Sequence, residues 1–397
     1  MQLILSKRKK DMEKVYDAHV HYMFNLSLEE TVKIFKEEFS VTETEKYIFL
    51  SIPHHVLSTK ITTDFTQNLK GLYLKKVFAP NGYAFAGLIH KNDAESDIEM
   101  SLDFLSQVET NYSVGFDGMK MLEGDASLRK AFKLPIDSPI YDRYYSFCEE
   151  NNFPITMHVA NPDENWDYSL ASEQAIKLGR VYDNTYPTKE QLTNEVFGIM
   201  KKHPKLRLSL AHFGFFCKQI ELAERFLCDY ENTLLDITPG GEQLIYMSKN
   251  WEKWSKFFEK YQDRIIYGTD YYAFPKDENW EIAFNRRPKF IRQMFESNGE
   301  YCYLGDNFVG INLKKEIRDK IYRENFNKIY GTPKIINSQY IVNQCQKVID
   351  MYKRFPNEII DSLYIKDVTL SDDDDDWKKK KLDLDINDLK LIEETFK

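Results

Sequence analysis

The sequence predicts an α/β fold of the closed (β/α)8, or TIM-barrel, class. Short apolar runs alternate with helix-like stretches through residues 15–297. Strands that alternate with helices imply a parallel sheet. Eight such units can be counted, the number that closes a parallel ring at the usual length of this fold. The rival is an open doubly wound sheet. A dinucleotide-binding version of it has little support, because no Gly-x-Gly-x-x-Gly follows the first strand.

The first strand is Val15-Tyr16-Asp17-Ala18-His19-Val20-His21. Side chains alternate along a strand, so Asp17, His19 and His21 are expected on one face. An amphipathic helix follows over 26–39. Strand two, 47–52, is stopped by Pro53 and followed by His54 and His55. A helix over 64–76 leads to strand three, 83–89, which ends at His90. A helix over 94–110 leads to strand four, 115–122, which holds Lys120. A helix over 140–151 precedes strand five, 153–157, ending at His158. The next connection is long and aromatic, with Trp166, Tyr168 and Tyr186, and enters a helix over 189–202. Strand six, 206–211, ends at His212. A helix over 218–230, strand seven over 233–237 with Asp236 inside it, and a helix over 245–261 come next. Strand eight is 264–268, with Asp270 just past it, and a last barrel helix spans 280–297.

Beyond residue 312 helical pattern covers 314–330, 339–354 and 357–364, and no alternating strands return. These helices are expected to pack outside the barrel or close its bottom. The division is a basic lead-in at 1–14, a barrel at 15–331 and a helical C-terminal extension at 332–397. Within the extension, residues 371–381 segregate a run of aspartates from a run of lysines. Such a stretch reads as a solvated loop, or else as a docking loop for a neighbouring subunit. Leu389, Ile392 and Phe396 recur at helical spacing, with Asn387 or Asp388 as a cap.

Composition narrows the function classes. Hydrophobic residues make up 42% and aromatic residues 14% of the 397, enough for a sizeable core. A net charge of -9 argues against a nucleic-acid binder that relies on phosphate contacts. The five cysteines form no Cys-x-x-Cys and are odd in number, which suits reduced thiols in the cytosol. No run reaches membrane-spanning length, and the apolar start is too short for a signal-peptide core. A cytoplasmic protein without membrane or nucleic-acid partners is expected.

Seven of the eight histidines fall at or just after predicted strand ends; only His203 lies in an ordinary helix-to-strand connection. In a parallel barrel those ends converge at the mouth that carries the active site. His19 and His21 from strand one, His158 from strand five and Asp270 from strand eight assemble into one metal site there. Three neutral nitrogens and a carboxylate suit zinc or a similar divalent ion. His212 is either a further ligand or a neighbouring acid or hydrogen-bond donor. Taken singly, each member has a plainer reading. His158 could be a buried histidine bonded to a carbonyl, and Asp270 a turn cap.

The Asp-x-His-x-His strand, His158, Ala211-His212-Phe213-Gly214 and Tyr267-Gly268-Thr269-Asp270-Tyr271 together resemble the amidohydrolase superfamily. The resemblance is to its amidohydrolase-related branch of hydrolases, lactonases and non-oxidative decarboxylases. Gly115-Phe116-Asp117-Gly118-Met119-Lys120 is similar to that branch's fourth strand, and residues 321–331 to its closing helix. The sequence departs from the branch in its charged tail and in Met121 after Lys120, where a histidine is frequent. The resemblance implies that His19, His21, His158 and Asp270 bind the metal and that His212 contacts the substrate or a second ion. For Lys120 three roles stay open: a carboxylated lysine bridging two metals, a cationic anchor for a substrate carboxylate, or a salt bridge inside the barrel.

One divalent ion is expected, zinc before manganese, with room for a second. The favoured reaction is hydrolysis of a small-molecule amide, ester or lactone by a metal-activated water, with Asp270 as proton carrier and His212 as donor to the carbonyl. Asp270 is expected to stay ionised beside the cation. Non-oxidative decarboxylation of a small aryl or unsaturated acid would use the same parts. A catalytically inactive barrel acting as a binding module is the non-enzyme alternative. Lys120, Asn161, Trp166 and Tyr271 are the candidate substrate-binding residues, and Lys120 would favour an anionic substrate. Related barrels often pair, and by that analogy the C-terminal helices offer a homodimer interface.

Overall fold

Every strand of the main sheet runs parallel to its neighbours, as the alternation with helices requires. The structure is a computed structural model. It describes residues 12–22, 26–57, 60–90, 96–239, 243–273, 287–303, 305–357, 359 and 375–397. The strands are β1 Val15–Tyr22, β2 Thr44–Leu50, β3 Gly82–Gly87, β4 Gly118–Gly124, β5 Ile155–Val159, β6 Leu208–Leu210, β7 Thr233–Asp236, β8 Ile265–Ile266 and β9 Tyr271–Ala273. Their order is β8-β7-β6-β5-β4-β3-β2-β1-β9. β8 and β9 are two pieces of one strand, interrupted at residues 267–270. The first piece pairs with β7 and the second with β1, so the expected barrel closes through a broken eighth strand.

Alternation along the strands sorts the side chains. Ile48, Leu50, Tyr83, Phe85, Ala18 and Ile266 gather inside the ring with Phe326. Helix Asn325–Tyr330 plugs this end, with Phe326 against Tyr83 and Tyr330 against Phe85 at ring distances of 5.1 and 5.7 Å. The intervening residues, such as Phe49, Ala84, Met119, Ile155 and Leu235, face the surrounding helices. β1 breaks the rule once. Asp17 pairs with Tyr47 but Val20 with Phe49, so β1 carries one extra residue. A bulge flips the alternation. Ala18 and His19 therefore both turn inward, while Val20 and Tyr22 join the outer core. The expectation that Asp17 shares a face with His19 and His21 is corrected by this bulge.

Other elements differ from expectation in bounds. The helix expected over 245–261 is two, Gln243–Lys249 and Trp251–Lys260. The last barrel helix is seen as Arg287–Glu296; its expected first residues, 280–286, lie outside the described residues. Elements without a periodic signal include the antiparallel hairpins His54–Leu57 with Lys60–Thr63 and Glu300–Tyr303 with Asp306–Val309, and helix Ala126–Phe132, capped by Asp125. Among the described residues no helix is long and apolar enough to cross a membrane.

The C-terminal helix runs Asp375–Phe396, so residues 375–381 of the charged stretch are helical rather than a solvated loop; residues 371–374 lie outside the described residues, as does most of 357–364. Asp388 is not a cap. It lies mid-helix, and its Oδ1 accepts from the Leu28 N–H at 3.0 Å. Lys70 Nζ, fully buried, lies 2.8 Å from Asp385 Oδ1 and 2.9 Å from Asp388 Oδ2. Lys381 is buried as well and pairs with Asp385. Burial opposes the Lys70 charge, but Asp385, Asp388 and Asp64 outweigh it and hold its pKa above the usual lysine range. Asp385→Ala would leave two buried ammonium groups short of a partner. The expected cost is about 3–5 kcal/mol, read as a lower urea midpoint of unfolding; an unchanged midpoint would show that this network does not clasp the helix.

Candidate metal centre

Past the bulge, β1 delivers His19 and His21 to the carboxyl-end mouth with their Nε2 atoms 3.0 Å apart. The outer nitrogens decide what those atoms are. His21 Nδ1 lies 2.9 Å from the Leu50 carbonyl, which can only accept, so this nitrogen carries a proton. His19 Nδ1 lies 2.6 Å from Asp236 Oδ2 on β7 and donates to it when that carboxyl is ionised. In neutral rings each Nε2 then turns a lone pair toward the other ring. Burial pushes the His19 pKa well below its usual value, with Lys120 and His158 adding to the effect.

Asp270 supplies a third group. Its Oδ1 is 3.5 Å from His19 Nε2 and 3.4 Å from His21 Nε2. Its Oδ2 and its backbone carbonyl each accept from Arg287 Nη1 at 2.5 Å. Burial pushes the Asp270 carboxyl up from the ordinary carboxylate value, while Arg287 and Lys120 oppose that rise. The turn bearing Asp270 is tied by Asp17. Asp17 Oδ1 accepts from the N–H groups of His19 at 3.0 Å and Thr269 at 3.1 Å, and Oδ2 from Thr269 Oγ1 at 2.5 Å. Gly268 is needed in this turn, because a Cβ there would come within 2.5 Å of Asp236 Oδ1. Asp270 itself has φ +53°, a left-handed backbone that costs a non-glycine residue about 1–2 kcal/mol.

His212 arrives on a stranger turn. β6 ends at Leu210, and His212, Phe213, Gly214 and Phe215 all have φ between +52° and +59°. Strain of this kind is found where a site demands a particular side-chain position. It sets the His212 ring 5.4 Å from His19 and 4.9 Å from His158. His212 Nδ1 and His158 Nε2 are buried without a hydrogen-bond partner. Ligand atoms of His19, His212 and Asp270 lie within 4.8 Å of one another. His158 is outside that trio; its Nε2 faces Asp125 Oδ2 at 3.8 Å.

These residues fit a divalent ion. A tetrahedral site with bonds of roughly 2.05 Å sets its ligand atoms about 3.3 Å apart. The separations of 3.0, 3.4 and 3.5 Å among His19, His21 and Asp270 bracket that value. Two facing lone pairs and a buried carboxylate repel one another unless a cation lies between them. The orphaned nitrogens of His158 and His212 are further donors at the edge of the cluster.

Residues 79–332 match the family described as Amidohydrolase, more than half of the chain. The chain belongs to the amidohydrolase family of enzymes. The matched span holds Lys120, His158, His212 and Asp270, and the β1 histidines precede it. No curated protein matches the chain. Among solved structures, it is similar to 4-oxalomesaconate hydratase from Rhodopseudomonas palustris, at 13% identity over 80% of this chain and 95% of that one, with a TM-score of 0.48. A putative 2-pyrone-4,6-dicarboxylic acid hydrolase from Pseudomonas putida shares 10% identity over 80% and 97%, with a TM-score of 0.46. A dihydroxybenzoic acid decarboxylase from Polaromonas with bound manganese shares 14% over 80% and 97%, at a TM-score of 0.46.

In this amidohydrolase Lys120 rises from β4 to within 3.4 Å of His19 Nε2. Burial lowers its pKa to about 8 against the pull of Asp270, Asp236 and Glu123. Of the roles open to it, the buried ion pair is the one that the described residues do not make. Asn161 is buried and donates to Asp125 Oδ2 at 2.9 Å and to the Tyr182 hydroxyl at 3.0 Å. Trp166 gives its indole N–H to the Pro187 carbonyl and packs on Tyr182. Tyr271 is also corrected. The pleat turns it outward beside Phe35, and Tyr272 instead stacks on His21 at 4.8 Å. His54 and His90 form a separate buried group, with His90 Nε2 3.0 Å from Glu123 Oε1.

Sequence reasoning left Asp236 and Arg287 without roles and placed Tyr272 only in an aromatic rim. Asp236 could have been found, since an aspartate inside a buried strand at an inward position needs a partner. Nothing local marks Arg287. Thr269→Val would strip Asp17 of a buried donor, an expected loss of about 1–3 kcal/mol in thermal unfolding. Wild-type stability in that variant would show that the Asp17–Thr269 contact does not hold the turn.

Proposed function

We propose that this amidohydrolase is a metal-dependent hydrolase that cleaves an amide, ester or lactone in a small anionic molecule. The observation that carries this reading is the pair of Nε2 lone pairs on His19 and His21, fixed by acceptors behind them and facing Asp270 Oδ1. His19, His21 and Asp270 would hold one divalent ion, zinc before manganese. The orphaned nitrogens of His158 and His212 take the two remaining roles, one as fourth ligand and one as hydrogen-bond donor to the scissile carbonyl. A dication held there would supply a water of near-neutral pKa. Asp270, beside it, would accept a proton and pass it to the leaving group. The Lys120 ammonium, buried beside His19, binds the anionic group of the substrate.

Lys120 also favours a second reading, non-oxidative decarboxylation of an aryl or unsaturated acid. A buried ammonium at that position would hold the acid group against the metal centre, with Asp270 protonating the carbon. Release of acid from a lactone, ester and amide panel, against release of carbon dioxide from aryl carboxylates, separates the two. The chain should take up about one zinc or manganese ion. Chelation should abolish turnover and added metal restore it. Asp270→Asn should lower kcat by about 10²–10⁴-fold with the fold intact by circular dichroism. Near-wild-type turnover in that variant removes the role given to Asp270, and a chain that takes up no metal removes the whole reading.

A further inference from the structure

The two oxygens of the Asp270 carboxylate are not equivalent. Oδ1 faces the paired histidine nitrogens at 3.4 and 3.5 Å. Oδ2 is held by Arg287 Nη1 at 2.5 Å, and the same nitrogen reaches the Asp270 backbone carbonyl at 2.5 Å. One donor therefore grips both the side chain and the main chain of a single residue. Arg287 opens helix Arg287–Glu296, and its side chain is only 14% exposed, so little water competes for these bonds. The backbone it grips is the left-handed one at φ +53°. A carboxylate free at both oxygens can rotate, or bind a cation through both; one pinned to a buried guanidinium keeps a single oxygen to offer.

We propose that Arg287 is the positioning residue of the metal centre: by gripping Oδ2 and the carbonyl of Asp270, it presents Oδ1 alone to the cation between His19 and His21. This rests on the metal-dependent reading above. Arg287 touches neither the cation nor the substrate in this arrangement. It acts through Asp270, as hydrogen-bonded partners of metal ligands generally do. Lysine at this position would keep the charge but, as a point donor on a different stem, would not span the same two oxygens.

The test is metal binding by the full chain, read without turnover. Zinc affinity is measured by competition with a chromophoric chelator, and the visible spectrum of the cobalt(II) form reports coordination number. Arg287→Gln should weaken zinc binding about 10–100-fold and shift the cobalt spectrum toward higher coordination, as Asp270 turns to bind through both oxygens. Arg287→Lys should fall between this variant and the wild type. Zinc affinity within about twofold of wild type, with an unchanged cobalt spectrum in a folded Arg287→Gln, overturns the inference while leaving the metal centre standing. Should the Gln variant not fold, the metal-loaded wild-type crystal structure decides. Oδ1 on the ion with Oδ2 on Arg287 supports the inference, and both oxygens on the ion overturn it. A wild-type chain that binds neither zinc nor cobalt fails the metal reading itself, and this inference with it.

Discussion

A ring of parallel strands must join its last strand to its first, and here that join depends on one buried carboxylate. The eighth strand breaks at residues 267–270 as the chain leaves β7 and crosses to β1. Asp17 spans the break, accepting from His19 on one side and from both donors of Thr269 on the other. Without it, buried N–H groups in the barrel wall would have no acceptor. The Asp270 N–H then bonds the His19 carbonyl at 2.9 Å. The contact that closes the fold thus also sets the distance between His19 and Asp270, so barrel closure and the metal centre are one structural event.

The mouth concentrates unfavourable features that the opposite end lacks. At the floor, Ala18, Ile48, Phe85 and Phe326 pack as an ordinary apolar plug. Above it lie neutral imidazoles with facing lone pairs, a lysine and a carboxylate drawn off their usual pKa values by burial, and two turns with left-handed backbone. A core selected only for stability would replace these groups with aliphatic side chains. Their concentration around one point is what a divalent cation would relieve. Rigidity there comes from behind: Asp236 and the Leu50 carbonyl orient the two rings, and Asp17 and Arg287 orient the carboxylate.

The barrel and most of its mouth were legible because both follow from periodicity. Alternating strands and helices give the ring, and strand ends give the rim, so His19, His21, His212, Lys120 and Asp270 could be placed together by counting. Local departures from periodicity were not legible. The bulge in β1 separated Asp17 from the histidine face, and the pleat of β9 exchanged Tyr271 for Tyr272. Each is a shift of one residue, which reverses a side chain's direction while leaving composition and spacing untouched. The charged stretch misled for a different reason. Residues 375–381 lie in a helix whose Lys381 finds buried carboxylates, and a charge run alone does not show whether partners await it.

By itself the sequence determined the class of fold, the end of the barrel where chemistry sits and the donor types available, because hydrophobic period and residue identity are local properties. Tertiary structure alone decided which oxygen of Asp270 faces the histidines, which nitrogens are lone pairs, and that Asp236 and Arg287 stand behind them. Those facts depend on contacts between residues 217 positions apart in the case of His19 and Asp236. Such contacts exist only once the chain has closed on itself, and no spacing along the chain encodes the direction in which a proton or a lone pair points.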